Sequence, residues 1–280
     1  YLFYQTLLGA WPGGDGPIDP TFLERIQQFM LKALKEAKVH TSWITPNTAY
    51  EQAVQEWVSA VLDTSEPNPF LEDFGALQRK VAFFGIFNSL SQTLLKLGSP
   101  GVADVYQGNE LWDLSLVDPD NRRPVDYQLR QRYLRGLVRQ RPTGLFEQRE
   151  DGRMKMWLTH RLLCLRRELP ALFVGGSYTP LRSGGRAHKV RHVAAFARQA
   201  DGRMLVIAAP VLVATLTRGA MVAPMGEEVW REEWLSVPLD GAYHDVLSGR
   251  TLQSVDQNGR PVLPLSQVFG DLPVAALLAG

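Results

Sequence analysis

Up to Pro180, apolar residues recur at spacings of three and four; beyond it they fall into short, partly alternating runs. The first spacing predicts amphipathic helices and the second predicts strands. Phe22, Ile26, Phe29, Met30, Ala33, Leu34 and Ala37 form one helical stripe, with Lys32, Lys35 and Glu36 off it. Thr21 and Glu24 read as its capping box, and Thr48 and Glu51 repeat the signal for a second helix lined by Tyr50, Val54, Trp57, Val58, Val61 and Leu62. The longest pattern covers 70–97, through Phe74, Leu77, Val81, Phe84, Phe87, Leu90, Leu94 and Leu95, and stops at Gly98 and Pro100. Phe83 and Ile86 lie on other faces, so this helix is expected to be buried on more than one side. Asp126 opens a further helix through Leu129, Tyr133 and Leu137, and 154–169 another through Trp157, Leu158, Leu162, Cys164 and Leu165.

The runs 192–198, 204–209, 211–216, 234–239, 243–247, 262–265 and 274–278 are separated by turn pairs such as Asp201-Gly202, Asp240-Gly241, Ser248-Gly249 and Asn258-Gly259. That spacing predicts an antiparallel sandwich or small barrel of about 100 residues.

Between the two textures lies 101–130, GVADVYQGNELWDLSLVDPDNRRPVDYQLR. Residues 102–106 have strand length and partly β-branched composition, and Gly108 breaks them into a loop dense in amides, carboxylates and guanidiniums. A buried strand opening into such a loop is how α/β folds present binding groups. The plain alternative is that Asp118-Pro119-Asp120-Asn121 is only a turn, or that Asp118 and Asp120 brace the loop against arginines. Asp118-x-Asp120 also begins like a calcium loop, but Arg123 and Leu129 occupy the positions that need Gly and Glu. No metal site or cofactor is expected.

The 30 basic and 29 acidic residues leave a formal charge of +1, which argues against a nucleic-acid or membrane-surface role driven by bulk charge. The arginines of the 126–137 helix therefore read as a solvated or salt-bridged face. Cys164 is the single cysteine, so an intramolecular disulfide and a cysteine-based zinc site are excluded, and a reducing compartment, the cytoplasm, is expected. No run is long and apolar enough to span a membrane. The chain opens on Tyr1-Leu2-Phe3-Tyr4, without Met and in mid-pattern, and reads as a piece of something longer.

The phrases YLFYQTLLGAWP, LKALKEAKVHTSW, PGVADVYQGNELWDLSLVDPDNRRPVD and LPLSQVFGDLPVAALL resemble the maltooligosyltrehalose synthases, (β/α)8-barrel enzymes of the α-amylase superfamily. The resemblance implies α/β plus all-β architecture: residues 1–181 as helical elaborations and the last part of a barrel, and 182–280 as an antiparallel β-sandwich domain. Residues 102–106 would be the eighth barrel strand. The implied reaction moves the reducing-end α-1,4 bond of a maltooligosaccharide to an α,α-1,1 bond. Such retaining chemistry needs a nucleophile and an acid carboxylate about 5–5.5 Å apart. The superfamily's Gly-x-Arg-x-Asp phrase, acid Glu and catalytic His-Asp pair are absent, and the one His-Asp here, His244-Asp245, falls in the predicted β-domain. The resemblance therefore implies a C-terminal portion with no catalytic residue of its own, acting on maltooligosaccharide together with a preceding portion.

Lys38, His40, Thr41 and Trp43 in one segment, and Tyr106, Gln107, Asn109, Glu110, Asp118, Asn121, Arg122 and Arg123 in the other, carry over as substrate-binding candidates. Polar groups that meet hydroxyls, and aromatic faces that meet sugar C–H surface, suit a glucosyl unit. Of Arg122 and Arg123, one is expected to brace the loop and the other to face the sugar. The alternatives are an α-glucan hydrolase of the same superfamily and a non-catalytic carbohydrate-binding or structural module.

Overall fold

The structure, a computed structural model, describes residues 1–12, 18–137, 140, 142–185 and 189–280. They gather into two compact units, 1–82 with 113–125, and 83–112 with 126–280.

The first unit holds α1 (Leu2–Ala10), α2 (Pro20–Ala37), α3 (Thr48–Val61) and the start of α4 (Pro69–Gly98). Both expected capping boxes are displaced. Asp19 caps α2 by accepting from the Thr21 N–H at 2.9 Å, and Pro20 follows where a missing N–H costs nothing. Asn47 caps α3 through the Tyr50 N–H at 3.1 Å, which leaves Glu51 for other partners. Phe22, Ile26 and Met30 of the α2 stripe are buried with Phe3, Leu7, Val58, Leu62 and Phe74 in one cluster.

The second unit takes the rest of α4, then α5 (Tyr127–Leu137), α6 (Pro142–Glu147), α7 (Arg153–Glu168) and α8 (Pro170–Val174). The Asp126 carboxylate accepts from the Leu129 N–H at 2.8 Å, capping α5 as expected. Strands follow: β1 (Ser177–Pro180), β2 (Ser183–Gly184), β3 (Val193–Ala200), β4 (Arg203–Pro210), β5 (Trp234–Ser236), β6 (Ala242–Asp245), β7 (Thr251–Gln253), β8 (Val255–Asp256), β9 (Pro261–Pro264) and β10 (Ala275–Ala279). Short helices α9 (Val213–Leu216), α10 (Gly226–Trp230) and α11 (Leu265–Val268) interrupt them. Six strands pair in the order β1-β3-β4-β10-β6-β7 and four in the order β2-β5-β9-β8, and each of these pairings is antiparallel.

Alternation along β4 shows where the cores lie. Leu205, Ile207 and Ala209 join Phe87, Leu90, Leu94, Leu158 and Phe173 of the helices. Met204, Val206 and Ala208 join Leu235 and Leu263 of the smaller sheet. Successive side chains point to opposite faces, so a strand covered on both faces reads as a continuous apolar run. The helix end and sheet are close: a Cβ on Gly98 would lie 2.7 Å from Ile207 Cγ1.

The chain thus combines helices with antiparallel sheets, and neither sheet closes into a barrel. Two expected strands are corrected. Residues 211–216 turn into α9, because Leu212 at φ 54° leaves the extended region and starts a helical turn. Residues 102–106 form no strand: no described segment pairs with them, and Val102 is 99% exposed. A strand is held by its backbone ladder, and without a neighbour the apolar composition alone does not make one.

Candidate functional site

The polar face of α2 organises the loop at 113–125. Arg25 Nε and a terminal nitrogen donate to the two oxygens of Asp120, each at 2.8 Å, and Arg25 also donates to the Leu114 carbonyl at 2.8 Å. Asp120 further accepts the Leu116 N–H at 2.6 Å and pairs with Arg123 at 2.9 Å. Burial alone would raise its carboxyl, but the bonds from Arg25 and Leu116 and the Arg25 and Arg123 charges hold it below the ordinary range. Two turns further along α2, Lys32 Nζ donates to the Asp118 carbonyl.

A cleft of about 290 Å³ lies along this face, lined by Gln28, Lys32, Lys35, Trp43, Asp118 and neighbours including Val117 and Pro119. It brings together one candidate from each sequence segment, Trp43 and Asp118. Lys35 Nζ stands 4.9 Å from the Trp43 ring centroid and 3.1 Å from Glu51. Thr41 is buried behind it. Its hydroxyl donates to Glu51 at 2.5 Å and accepts the Asn47 N–H at 3.0 Å, so it supports the segment. That hydroxyl lowers the Glu51 carboxyl most; burial opposes it and Lys35 adds to it. Lys38 ends α2 at φ 56°, exposed, and His40 is exposed with its ring 5.2 Å from that of Tyr50.

Arg122 and Arg123 are both paired. Arg122 Nε lies 2.5 Å from Asp118 Oδ1, and Arg123 binds Asp120. The Asp118 contact has ion-pair distance without hydrogen-bond geometry. Asp118 Oδ1 and the buried Asn121 Oδ1 both lack a hydrogen-bond partner among the described residues.

The other candidates belong to the second unit. Asn109 accepts from Lys155 Nζ at 3.0 Å, and that ammonium also reaches the Leu111 carbonyl at 3.1 Å. Glu110 accepts from Arg130 Nε at 2.9 Å, while Arg130 holds the Gly108 carbonyl at 2.8 Å. Tyr106 and Gln107 are exposed. His244-Asp245 lies on β6, where Asp245 is buried and accepts from the Ser248 hydroxyl at 2.6 Å and the Leu247 N–H at 3.1 Å. It holds the following turn.

The sequence pattern left Lys32 and Lys35 off the helical stripe and did not single out Gln28. Their spacing with Arg25, at three, four and three residues, was the available signal, since it marks one line along a helix.

No family model matches the chain. A Mycobacterium tuberculosis protein named as a maltooligosyl trehalose synthase is 36% identical over 277 residues, 99% of this chain. The chain is a relative of the maltooligosyl trehalose synthases. It spans about a third, 31%, of the length of that curated relative, and matches the C-terminal part of such synthases. The maltooligosyltrehalose synthase of Arthrobacter ramosus superposes with a TM-score of 0.77 at 31% identity, covering 99% of this chain and 32% of that one. A hypothetical maltooligosyl trehalose synthase from Sulfolobus tokodaii superposes at 0.67 with 29% identity, over 100% of this chain and 32% of the other. Among the described residues of this synthase relative, no helix is long and apolar enough to cross a membrane.

Proposed function

We propose that this chain is the C-terminal portion of a maltooligosyltrehalose synthase, which converts the reducing-end α-1,4 bond of a maltooligosaccharide into an α,α-1,1 bond. The observation that carries the reading is the similarity to such synthases over 99% of this chain but 31% of the relative. The absence of the superfamily's carboxylate phrases agrees with it. The nucleophile makes the covalent bond to the sugar, so no surrounding binding group replaces it.

In this reading residues 1–181 form a helical insertion and the last part of a (β/α)8 barrel, in which 102–106 would find strand neighbours only in the rest of the barrel, and 182–280 form a β-sandwich domain. The single cysteine agrees with a cytoplasmic setting. Trp43 and Asp118 meet maltooligosaccharide in the cleft along α2. Exposed Lys38, His40, Tyr106 and Gln107 offer further contacts, whereas Thr41, Asn109, Glu110 and Arg123 act mainly by holding their loops.

Two incubations with maltopentaose test this. The full-length polypeptide should form a trehalose-capped glucan, and the 280-residue chain alone should turn over nothing. Glucose and maltose as the products of the full-length polypeptide would make it an α-glucan hydrolase instead. Turnover by the purified short chain would overturn the placement of the chemistry outside it.

A further inference from the structure

Helix α7 holds the segment 101–111 at both ends. Arg166, in the last turn of the helix, donates to the Leu97 carbonyl at 2.7 Å, to the Ser99 carbonyl at 3.0 Å and to the Gly101 carbonyl. Lys155, in the first turn and only 5% exposed, donates to the Asn109 side chain at 3.0 Å and to the Leu111 carbonyl at 3.1 Å. About three turns of helix separate the two cations, so they share one face of α7, roughly 16 Å apart.

Between these ends the burial of 102–106 alternates. Val102, Asp104 and Tyr106 are exposed, whereas Ala103 and Val105 pack against the helical core. Alternation of that kind is the side-chain pattern of an extended strand. A strand is ordinarily fixed by its backbone ladder; here the fixing comes from the bonds at the two ends and the two seated side chains. Each end is secured a second time. The Gly101 N–H donates to the Phe173 carbonyl at 3.2 Å, and the Trp112 ring N–H donates to the Arg149 carbonyl at 2.9 Å. Tyr106 and Gln107 are therefore exposed on a segment anchored on both sides.

We propose that Arg166 and Lys155 are positioning residues for the reaction put forward above: they splint 102–107 along α7, and so set where Tyr106 and Gln107 stand. Neither cation touches substrate. Arg166 acts through main-chain carbonyls, and Lys155 through one carbonyl and the Asn109 side chain. The kinetic role rests on the synthase reading; the splint itself rests on the bonds at its two ends. In that reading the reacting carboxylates lie outside this chain, so a loosened splint weakens contacts shared by bound substrate and transition state. Loss of that kind raises KM and leaves kcat near the parent value.

The test uses the full-length polypeptide with maltopentaose. Lys155→Met and Arg166→Met should each raise KM about tenfold, the scale of lost charge-assisted hydrogen bonds, with kcat within about twofold of the parent. Hydrogen exchange of the amides of 102–111 should quicken in both. Thr159→Ala is the control: this buried hydroxyl, between the two cations on α7, donates to the Lys155 carbonyl at 2.9 Å, a bond within its own helix. It should lower the melting temperature yet leave KM and the exchange of 102–111 unchanged. Arg166→Lys, which keeps the charge but loses the planar fork, should raise KM about threefold and carries the test if a methionine variant does not fold. Unchanged KM in the Lys155 and Arg166 variants, or an equal rise in Thr159→Ala, would overturn the proposal. A parent polypeptide that forms no trehalose-capped product would overturn the synthase reading and the kinetic role with it; that failure is distinct because it shows in the parent.

Discussion

Arg25 and Asp120, 95 residues apart in the chain, form a two-pronged ion pair in which both bonds measure 2.8 Å. The pair joins the polar face of α2 to the loop that carries Asp118, and its side chains are only 14% and 12% exposed. A loop rich in turn residues is therefore held as part of a cleft wall.

Removing Arg25 should leave the Asp120 carboxylate half-buried with a single guanidinium, Arg123, beside it. Arg25→Ala should cost about 2–4 kcal/mol, and Arg25→Lys, which keeps the charge but loses the planar fork, about 1–2 kcal/mol. Urea unfolding of the chain measures both. A double-mutant cycle with Asp120→Asn should return a large coupling; additive effects would mean that the two side chains do not depend on each other.

The neighbouring arginines should respond unequally to the same change. Arg122 and Asp118 form an exposed pair, at 71% and 46%, so Arg122→Lys should stay within about 0.5 kcal/mol of the parent. Arg123 pairs with Asp120, itself 12% exposed, and also donates to the Asp120 carbonyl at 3.1 Å. Arg123→Lys should therefore cost about 1 kcal/mol. Equal urea midpoints for the two variants would contradict this difference.

How much of this was legible in the sequence depended on range. The stripe through Phe22, Ile26 and Met30 announced both the helix and its buried side, because helical periodicity is local. Short apolar runs between turn pairs likewise announced β4 and β10. The caps were misread by one or two residues, because Asp19 and Asn47 compete with nearby hydroxyls for the same free N–H groups. Residues 102–106 have a strand's composition but no ladder among the described residues, and a ladder is a property of two segments. The site divided in the same way. Trp43 and Asp118 were both candidates, yet that they share a cleft follows from α2 lying between their segments. Lys155, 46 residues from Asn109, and Arg130, 20 from Glu110, are partners that no local pattern indicates.

The two carboxylates Asp120 and Asp245 should give opposite pH signatures. Asp120 is held below 3.8, burial being outweighed by the Arg25 and Leu116 bonds and by the Arg25 and Arg123 charges. Its ionised form is favoured by folding, so its contribution is present above 3.8 and is lost as pH falls through the lower folded value. Asp245 is pushed above 3.8 by burial, because its donors, the Ser248 hydroxyl and the N–H groups of Leu247, Ser248 and Ala276, carry no charge. Between 3.8 and its folded value the native chain binds more protons than the unfolded one, so its contribution falls as pH rises through that window. Urea midpoints of the parent, Asp120→Asn and Asp245→Asn chains, measured across the acid range, separate the two. The advantage of the parent over Asp120→Asn should shrink as pH drops below 3.8, and its standing against Asp245→Asn should worsen as pH climbs above 3.8. Three parallel curves would mean that neither carboxylate titrates differently in the folded and unfolded chain. The ion pair to Arg25 and the uncharged cradle around Asp245 would then not set their protonation.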